Sequence, residues 1–306
     1  MRREASLFFR SLAVILLIVF ALDYAIGNVM RNGFRCKPLN DDPYSLTWFF
    51  YNEAKADVII LGNSRALHNY NPKIISDSLG FGVKNIAMDG TSAIYQSCIL
   101  RKMIERHKPK VVFFEYLESY IDGHANNLEN QDYLKDLYYK DSFVRSRIND
   151  VDAYSPIKEL SFIYRLTGLN SLNFITNLRG KGLHEYMVKG YKPLIDVGYA
   201  HPVLSYRNYI APKVDPIEYR SIIDIISMCK KNGIKLIFTI APTCNLTYPK
   251  NSATLHKICE KYNVPVIDNS NVPGISSNMF KDDVHMTVRG ANKYTIWFIK
   301  QVKDVF

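Results

Sequence analysis

The sequence predicts an α/β protein built on a doubly wound parallel sheet, and three observations predict this class. Short, almost uninterrupted apolar segments recur along the chain, as in strands that are covered on both faces. Segments with helical spacing of their apolar residues lie between them. Strand, helix and strand therefore alternate, and right-handed crossovers would place helices on both faces of one sheet.

The 306-residue chain begins with a segment typical of a membrane helix. Arg2, Arg3 and Arg10 precede an uncharged run from Ser11 to Leu22. A helix from Leu7 to Ile26 would cover about 20 residues and about 30 Å, enough to cross the hydrocarbon core of a bilayer. Arginines before the run favour a cytoplasmic N-terminus. The rest of the chain would then lie on the outer side of a bacterial-type membrane.

We expect residues 1–30 to form a single retained membrane anchor and residues 31–55 to form a linker. A cleaved signal peptide is the alternative, because a basic start and an apolar run fit both. No A-x-A-like cleavage site follows the run, which favours the anchor. A buried core helix is less well supported, because the run is apolar on every side.

The remaining residues, 56–306, carry the alternating pattern of one α/β domain. Five segments have strand character, the last of them weakly: ADVIILG from Ala56, VKNIAM from Val83, KVVFFEY from Lys110, IKLIFTIAP from Ile234 and VPVID from Val264. Helical spacing is clearest from Ser92 to His107. A second such segment, from Pro216 to Gly233, ends in a glycine suited to a helix C-terminus.

A tyrosine-rich region at about 119–216 interrupts the alternation. An unstructured loop of this length is uncommon in a compact domain. We therefore predict a mostly helical insertion that packs over the carboxyl edge of the sheet, where open α/β sheets bind ligands. Its tyrosines either stack on sugar rings or pack a small core of the insertion itself.

Composition restricts the partners. Hydrophobic residues make up 47% of the chain, enough for a core, and the net charge is +10, which suits an acidic partner or reflects solvated lysines. No basic run is interleaved with aromatic residues, so we expect no nucleic-acid binding. Five cysteines show neither a C-x-x-C pair nor zinc spacing, so we expect no disulfide framework, no metal and no cofactor. The oligomeric state stays open.

Two distant motifs suggest a catalytic serine. Ser64 follows the first predicted strand, at a place where a sheet presents catalytic groups and where helix N-terminal amides can hold an anion. A serine hydroxyl needs a base, and that base needs an orienting acid. Asp282 stands three residues before His285, a step that lets its carboxylate reach Nδ1 and leaves Nε2 free for the serine. Asp283 is the rival acid. Ser64 could instead only cap a helix, and His285 could be a surface histidine.

These motifs resemble those of the SGNH or GDSL hydrolase superfamily. Gly62-Asn63-Ser64 matches its first block, Gly90 its second-block glycine, and Asp282, His285 and Gly290 its final block. The resemblance covers about residues 55–300, apart from the insertion. It implies a flavodoxin-like sheet, a serine acyl-transfer centre formed by the three candidate residues, and an oxyanion hole formed by the backbone amides of Ser64 and Gly90.

The chain departs from the family pattern at two places. The third block usually supplies an asparagine that donates to the oxyanion, but this chain has Glu115 there, which cannot donate when ionised. Asn126, Asn127 or Arg65 could take that role, or no residue does. Asn63 stands where the family usually has aspartate, a change that we expect to be tolerated.

The resemblance implies a serine esterase or acyltransferase that acts on acyl groups, above all O-acetyl groups, of an extracytoplasmic glycan. The partners would be the membrane and an acylated glycan or another ester substrate. One alternative is a catalytically silent glycan-binding or assembly protein with the same fold. Another is an esterase of membrane lipids. Four other histidines show no partner pattern and are predicted to be solvated or structural: His68, His124, His184 and His201.

Overall fold

The strands form one parallel sheet. The structure, a computed structural model, describes residues 2–35, 55–116, 134–135, 137–166, 190–195, 214–244 and 253–305. Its strands are β1 (Val58–Leu61), β2 (Val83–Asn85), β3 (Val111–Glu115), β4 (Lys235–Ile240) and β5 (Val266–Asp268). Their order is β2-β1-β3-β4-β5, and every neighbouring pair is parallel. This is the flavodoxin-like order, so the predicted fold class is confirmed, and each strand lies within the segment predicted for it.

Helices precede, separate and follow the strands. In chain order the α-helices of the described residues are α1 (Arg2–Arg35), α2 (Ser64–Asn69), α3 (Pro72–Leu79), α4 (Ala93–Arg106), α5 (Ser142–Val151), α6 (Ser155–Lys158), α7 (Pro216–Lys231), α8 (Ala253–Tyr262) and α9 (Val288–Val302). The two helices that the sequence predicts most clearly are α4 and α7, and they pack against each other.

The central strands are buried on both faces, as their continuous apolar character predicts. In β3, Phe113 packs against Phe298 of α9, with ring centroids 5.0 Å apart. The next residue, Phe114, points to the opposite face and packs against Phe238 of β4. Because all five strands are parallel, their carboxyl ends lie along one edge of the sheet, and the candidate site is built there.

The chain divides into two compact units. One consists of Met1–Leu39 and Gln131–Leu183 and contains α1, α5 and α6; the other consists of Asn40–Asn130 and His184–Phe306 and contains the sheet. The domain boundaries predicted from the sequence stay a prediction.

The N-terminal segment is helical, as predicted. Its candidate membrane span covers Arg3–Val29, with a mean hydropathy of 2.5 in its most apolar window, and the side chains of that window are not buried in the protein. A membrane anchor and a signal sequence both have these properties.

The predicted insertion contains two α-helices among the residues that the structure describes. Helices α5 and α6 lie within it. Buried Tyr138 donates its hydroxyl to Asn149 Oδ1 at 2.7 Å, so this tyrosine belongs to the insertion's own core. Much of the rest lies outside the described residues. The placement of the insertion over the sheet edge, and any stacking of its tyrosines on sugars, stay predictions.

Candidate active site

The turn between β1 and α2 presents Ser64 at the carboxyl edge of the sheet. Gly62 has φ +145°, and a Cβ at this position would lie 2.7 Å from that of Ala66, so only glycine fits. Asn63 caps α2, because its side chain accepts a hydrogen bond from the backbone N–H of Arg65 at 3.1 Å. The residues of α2 after Ser64 are buried, whereas Ser64 itself is only partly buried.

The structure brings Ser64, His285 and Asp282 together. His285 Nε2 lies 2.6 Å from Ser64 Oγ, and His285 Nδ1 lies 2.7 Å from Asp282 Oδ2. A carboxylate only accepts hydrogen bonds, so Nδ1 carries the proton and Nε2 can accept from the serine hydroxyl. This is the order of contacts that a serine nucleophile and its base require.

Asp282 is held as an anion. Its Oδ1 accepts hydrogen bonds from the backbone N–H groups of Val284 at 2.9 Å and His285 at 2.8 Å. Partial burial raises the pKa of Asp282, but these bonds and the one from the His285 ring outweigh burial and lower the pKa to about 2. The contact with the histidine ring is thus made by Asp282 rather than by the rival Asp283, whose backbone carbonyl accepts from Cys244.

Asn69 of α2 holds the loop that carries the histidine. It is fully buried; its Oδ1 accepts from Met286 N at 2.8 Å and its Nδ2 donates to Val284 O at 3.0 Å. One short helix therefore carries Ser64 at its start and fixes the loop around His285 from its end. Asn69 is not among the residues predicted from the sequence. The sequence gives one indication of its role, namely a polar residue at the end of α2, whose other residues after Ser64 are buried.

The glycine that trails the histidine motif has a packing reason. A Cβ on Gly290 would clash with the backbone oxygen of Met279. That oxygen accepts a hydrogen bond from Thr287 N at 2.9 Å, and the side chain of Thr287 accepts from Gly290 N at 3.3 Å as the cap of α9. Gly290 thus lets α9 begin against the segment that leads into the histidine loop.

The turn after β2 contains Gly90 and is joined to the turn of the serine. Gly90 has φ +66°, a conformation that glycine adopts without strain. Met88 N donates to Gly62 O at 3.2 Å. Buried Gln96 donates from Nε2 both to Gly62 O at 2.6 Å and to Thr91 Oγ1 at 2.8 Å. Gln96, which the sequence argument missed, therefore fixes the two turns against each other.

Glu115, at the end of β3, is a buried polar centre below the serine turn. Its Oε1 lies 2.8 Å from Arg65 Nη2 and accepts from Ala241 N at 2.9 Å. Its Oε2 accepts from the hydroxyls of Tyr70 and Thr239. Burial raises the pKa of Glu115, while the Arg65 charge and these hydrogen bonds oppose that rise. The carboxylate thus ties α2 to β3 and β4.

A second histidine lies beside the first. The ring of His68 packs edge-on against that of His285, with centroids 5.2 Å apart. Its Nδ1 lies 2.7 Å from Lys192 O, and its Nε2 lies 3.1 Å from Asp89 Oδ1. Both ring nitrogens of His68 thus lie within hydrogen-bonding distance of an acceptor oxygen, which fixes the orientation of the ring. Burial on its own raises the pKa of Asp89. The hydrogen bond with His68 and the neighbouring positive charges outweigh burial, so the pKa lies below its ordinary value.

His68 thus has the structural role that was one of the two alternatives predicted for it. The sequence offered one signal for its partner, since Asp89 directly precedes Gly90. The other three histidines of that prediction, His124, His184 and His201, lie outside the described residues.

Comparison with known proteins gives matches only among solved structures. No protein-family model matches the sequence, and no curated protein matches it. A GDSL-like lipase from Bacteroides thetaiotaomicron is 12% identical with a TM-score of 0.41, over 86% of this chain and 99% of that one. The esterase EstA from Pseudoalteromonas sp. is 11% identical with a TM-score of 0.40, over 81% and 97% of the two chains. The acetyl xylan esterase AlAXEase is 11% identical with a TM-score of 0.37, over 80% and 99%.

The first of these three structures is described as GDSL-like, and the other two are described as esterases.

The departure from the third SGNH block has a structural explanation. Glu115 is completely buried in its hydrogen-bond network and is not exposed at the carboxyl edge of the sheet. The structure does not support Arg65 as a replacement oxyanion donor, because its buried guanidinium pairs with Glu115 and donates to Ala241 O at 2.5 Å. Asn126 and Asn127, the other candidates, lie outside the described residues.

Proposed function

We propose that the chain is a membrane-anchored serine esterase or acyltransferase of the SGNH type, with Ser64, Asp282 and His285 as its catalytic residues. Its substrate would be an O-acylated, above all O-acetylated, glycan outside the cytoplasm. The observation that carries the proposal is the continuous hydrogen-bonded path from Ser64 Oγ through the His285 ring to Asp282, with distances of 2.6 and 2.7 Å.

The geometry supports a two-step acyl transfer. Ser64 Oγ attacks the ester carbonyl while its proton moves to His285 Nε2, and Asp282 stabilises the imidazolium that forms. Backbone N–H groups of Ser64 and Gly90 would stabilise the tetrahedral oxyanion, each contributing about 3 kcal/mol by comparison with other serine enzymes. His285 then returns the proton to the departing alcohol and leaves an acyl-Ser64 ester. Water or a sugar hydroxyl attacks that ester with the same proton transfers.

The groups around the serine support a polar substrate. His68 and Asp89 lie beside His285, and Lys192 Nζ lies 3.6 Å from Asp89 Oδ2. These hydrogen-bonding and charged groups suit a hydroxyl-rich ligand better than the acyl chains of a lipid. The net charge of +10 favours an acidic polymer. The choice of O-acetyl as the acyl group follows from the family resemblance alone.

The proposal is tested with p-nitrophenyl acetate and a fluorophosphonate probe on the full chain in detergent. We expect the wild type to release p-nitrophenol and to carry the probe on Ser64, as read by mass spectrometry. Ser64→Ala should lose both turnover and labelling, whereas Ser78→Ala, at an exposed serine of α3, should keep both. Turnover by Ser64→Ala at the wild-type rate would refute the proposed nucleophile. A folded wild type that takes no label would favour the silent glycan-binding alternative.

Hydrolase and transferase share the acyl-enzyme and differ only in the acceptor. The wild type is incubated with an acetylated oligosaccharide and an unacetylated acceptor of different mass. Free acetate alone indicates an esterase, and acetyl groups on the acceptor indicate a transferase. If neither product forms although p-nitrophenyl acetate is cleaved, the glycan assignment fails while the serine centre stands.

A further inference from the structure

Helix α1 makes specific contacts with a later segment of its own unit. The carboxylate of Asp23 accepts from Ser161 Oγ at 2.5 Å and from the backbone N–H groups of Phe162 at 2.6 Å and Ile163 at 3.2 Å. The ring of Tyr24 packs edge-on against that of Phe162, with centroids 4.9 Å apart. The helix is therefore tied to residues 161–163 at one defined level along its axis.

The helix surface is also shaped for that segment. Gly27 lies one turn after Asp23 and Tyr24, and it is buried. A Cβ at this position would lie 2.5 Å from Phe162 Cβ, so the close approach requires glycine. Three residues on one side of α1 thus fit a single loop. Such contacts would be lost on cleavage of the helix, which supports a retained helix over a cleaved signal peptide.

The segment that precedes this loop has the polarity of a surface in contact with lipid. Around α6 the buried residues are polar: Ser155 and Glu159. Three large apolar residues are exposed there, beside Pro156 and Lys158: Tyr154 is 70% exposed, Ile157 72% and Leu160 56%. A helix that faces water shows the opposite arrangement, with its apolar residues inside.

The position of these residues along α1 identifies what covers them. In the predicted span from Leu7 to Ile26, which covers about 20 residues or about 30 Å, Asp23 lies about one turn before the outer end. Asp23 then lies at the level of the outer interface, and Leu160 directly precedes the loop that binds it. We propose that Tyr154, Ile157 and Leu160 form a membrane-docking surface, which inserts into the interfacial layer of the same bilayer that α1 spans.

The neighbouring side chains suit that layer. Tyrosine and lysine place an apolar body in lipid and a polar end in water. Lys158 Nζ lies 6.0 Å from the centre of the Tyr154 ring and 2.7 Å from Asp152 Oδ2. The proposal depends on the proposed membrane span but not on the proposed esterase activity.

The experiment uses the full chain in phosphatidylcholine vesicles whose acyl chains carry bromine, which quenches tryptophan on contact. Tryptophan replaces Ile157 or Leu160 in the docking surface, Leu17 in the span, or Ser146, an exposed polar position on α5 of the same unit. The signal of the parent protein is subtracted. We expect brominated lipid to quench Leu17→Trp, Ile157→Trp and Leu160→Trp, and to leave Ser146→Trp unquenched.

The results that contradict the proposal also show whether the membrane span or the docking surface is wrong. If Leu17→Trp is quenched but both docking-surface variants are not, α1 spans the bilayer and the docking surface is wrong. If Leu17→Trp is also unquenched, the span is wrong and the docking surface with it. Quenching of Ser146→Trp to the same extent as Ile157→Trp would refute the specificity of the surface. Turnover of p-nitrophenyl acetate by the same variants tests the esterase separately, because none of these positions lies in the catalytic site.

Discussion

The buried carboxyl group of Glu218 allows a quantitative test of the structure. Glu218 lies in the first turn of α7. Its Oε2 accepts a hydrogen bond from the backbone N–H of Ala93, the first residue of α4, at 3.0 Å. Helix α4 begins shortly after the turn of Gly90. Burial raises the pKa of Glu218 from 4.5 to about 8, against the opposing hydrogen bonds from Ser92 and from backbone N–H groups of α4. The carboxyl group of Glu218 therefore changes charge within the pH range in which most proteins are folded and active.

The sign and size of the effect on stability follow from this shift. The folded protein binds the Glu218 proton more tightly than the unfolded chain does, so the contribution to stability is complete below pH 4.5 and is lost as the pH rises to about 8. The shift of about 3.5 pKa units, at about 1.4 kcal/mol per unit, corresponds to about 5 kcal/mol. Glutamine at this position has the same shape and does not titrate.

We therefore expect the free energy of unfolding of Glu218→Gln to rise relative to wild type by about 4 kcal/mol between pH 4.5 and pH 8, because the group is half titrated at each of these two limits. Urea unfolding at both pH values, followed by the fluorescence of Trp297 in the same unit, measures the difference. Subtraction of the two proteins cancels the titration of all other groups. Glu105→Gln, at an exposed glutamate of α4, should show no such change. A difference between Glu218→Gln and wild type that stays constant with pH would refute a buried, titrating Glu218.

Three further substitutions test how the site is held. Asn69→Ala leaves the backbone N–H of Met286 and the carbonyl of Val284 without their partner. We expect a loss of about 2–5 kcal/mol in urea unfolding and about 100-fold lower kcat on p-nitrophenyl acetate at unchanged KM. An unchanged kcat would contradict the positioning role. Gly290→Ala should cost about 3 kcal/mol by overpacking against Met279, seen as a lower Tm, and an unshifted Tm would be the opposing result. His68→Gln should lose the charge-assisted contact with Asp89, or about 2 kcal/mol of unfolding free energy, whereas stability equal to wild type would show that this contact does not stabilise the fold.

The sheet could be predicted from the sequence because its signal is local. A strand buried on both faces needs a short apolar run, and each of the five runs became a strand. The serine and histidine motifs are also local, since the glycine, the cap and the acid all lie within a few residues of the group they support. The contact between the motifs could be anticipated from the base and acid that a catalytic serine needs, and the family resemblance supported it.

The supporting contacts could not be predicted, because they join distant residues. Asn69 and Met286 are 217 positions apart, and nothing near either one in the sequence indicates the other. The case of Glu115 shows a second limit. A polar residue at the end of a strand can face a ligand or turn inward, and one sequence does not show which. Since Glu115 turns inward to Arg65, asparagine in its place would leave a buried guanidinium without its anion, and it would not supply an oxyanion donor.

The short helix α2 has a consequence for how the segment can vary. Arg65 faces the end of β3, His68 faces the turn after β2, and Asn69 faces the histidine loop. One inserted residue would rotate every later side chain by about 100° around the helix axis, and all three partnerships would be lost at once. Residues 62–69 must therefore change as one block without insertions or deletions. In other chains, the pattern G-N-S-R-x-x-H-N would indicate this architecture far more specifically than the three letters around the serine.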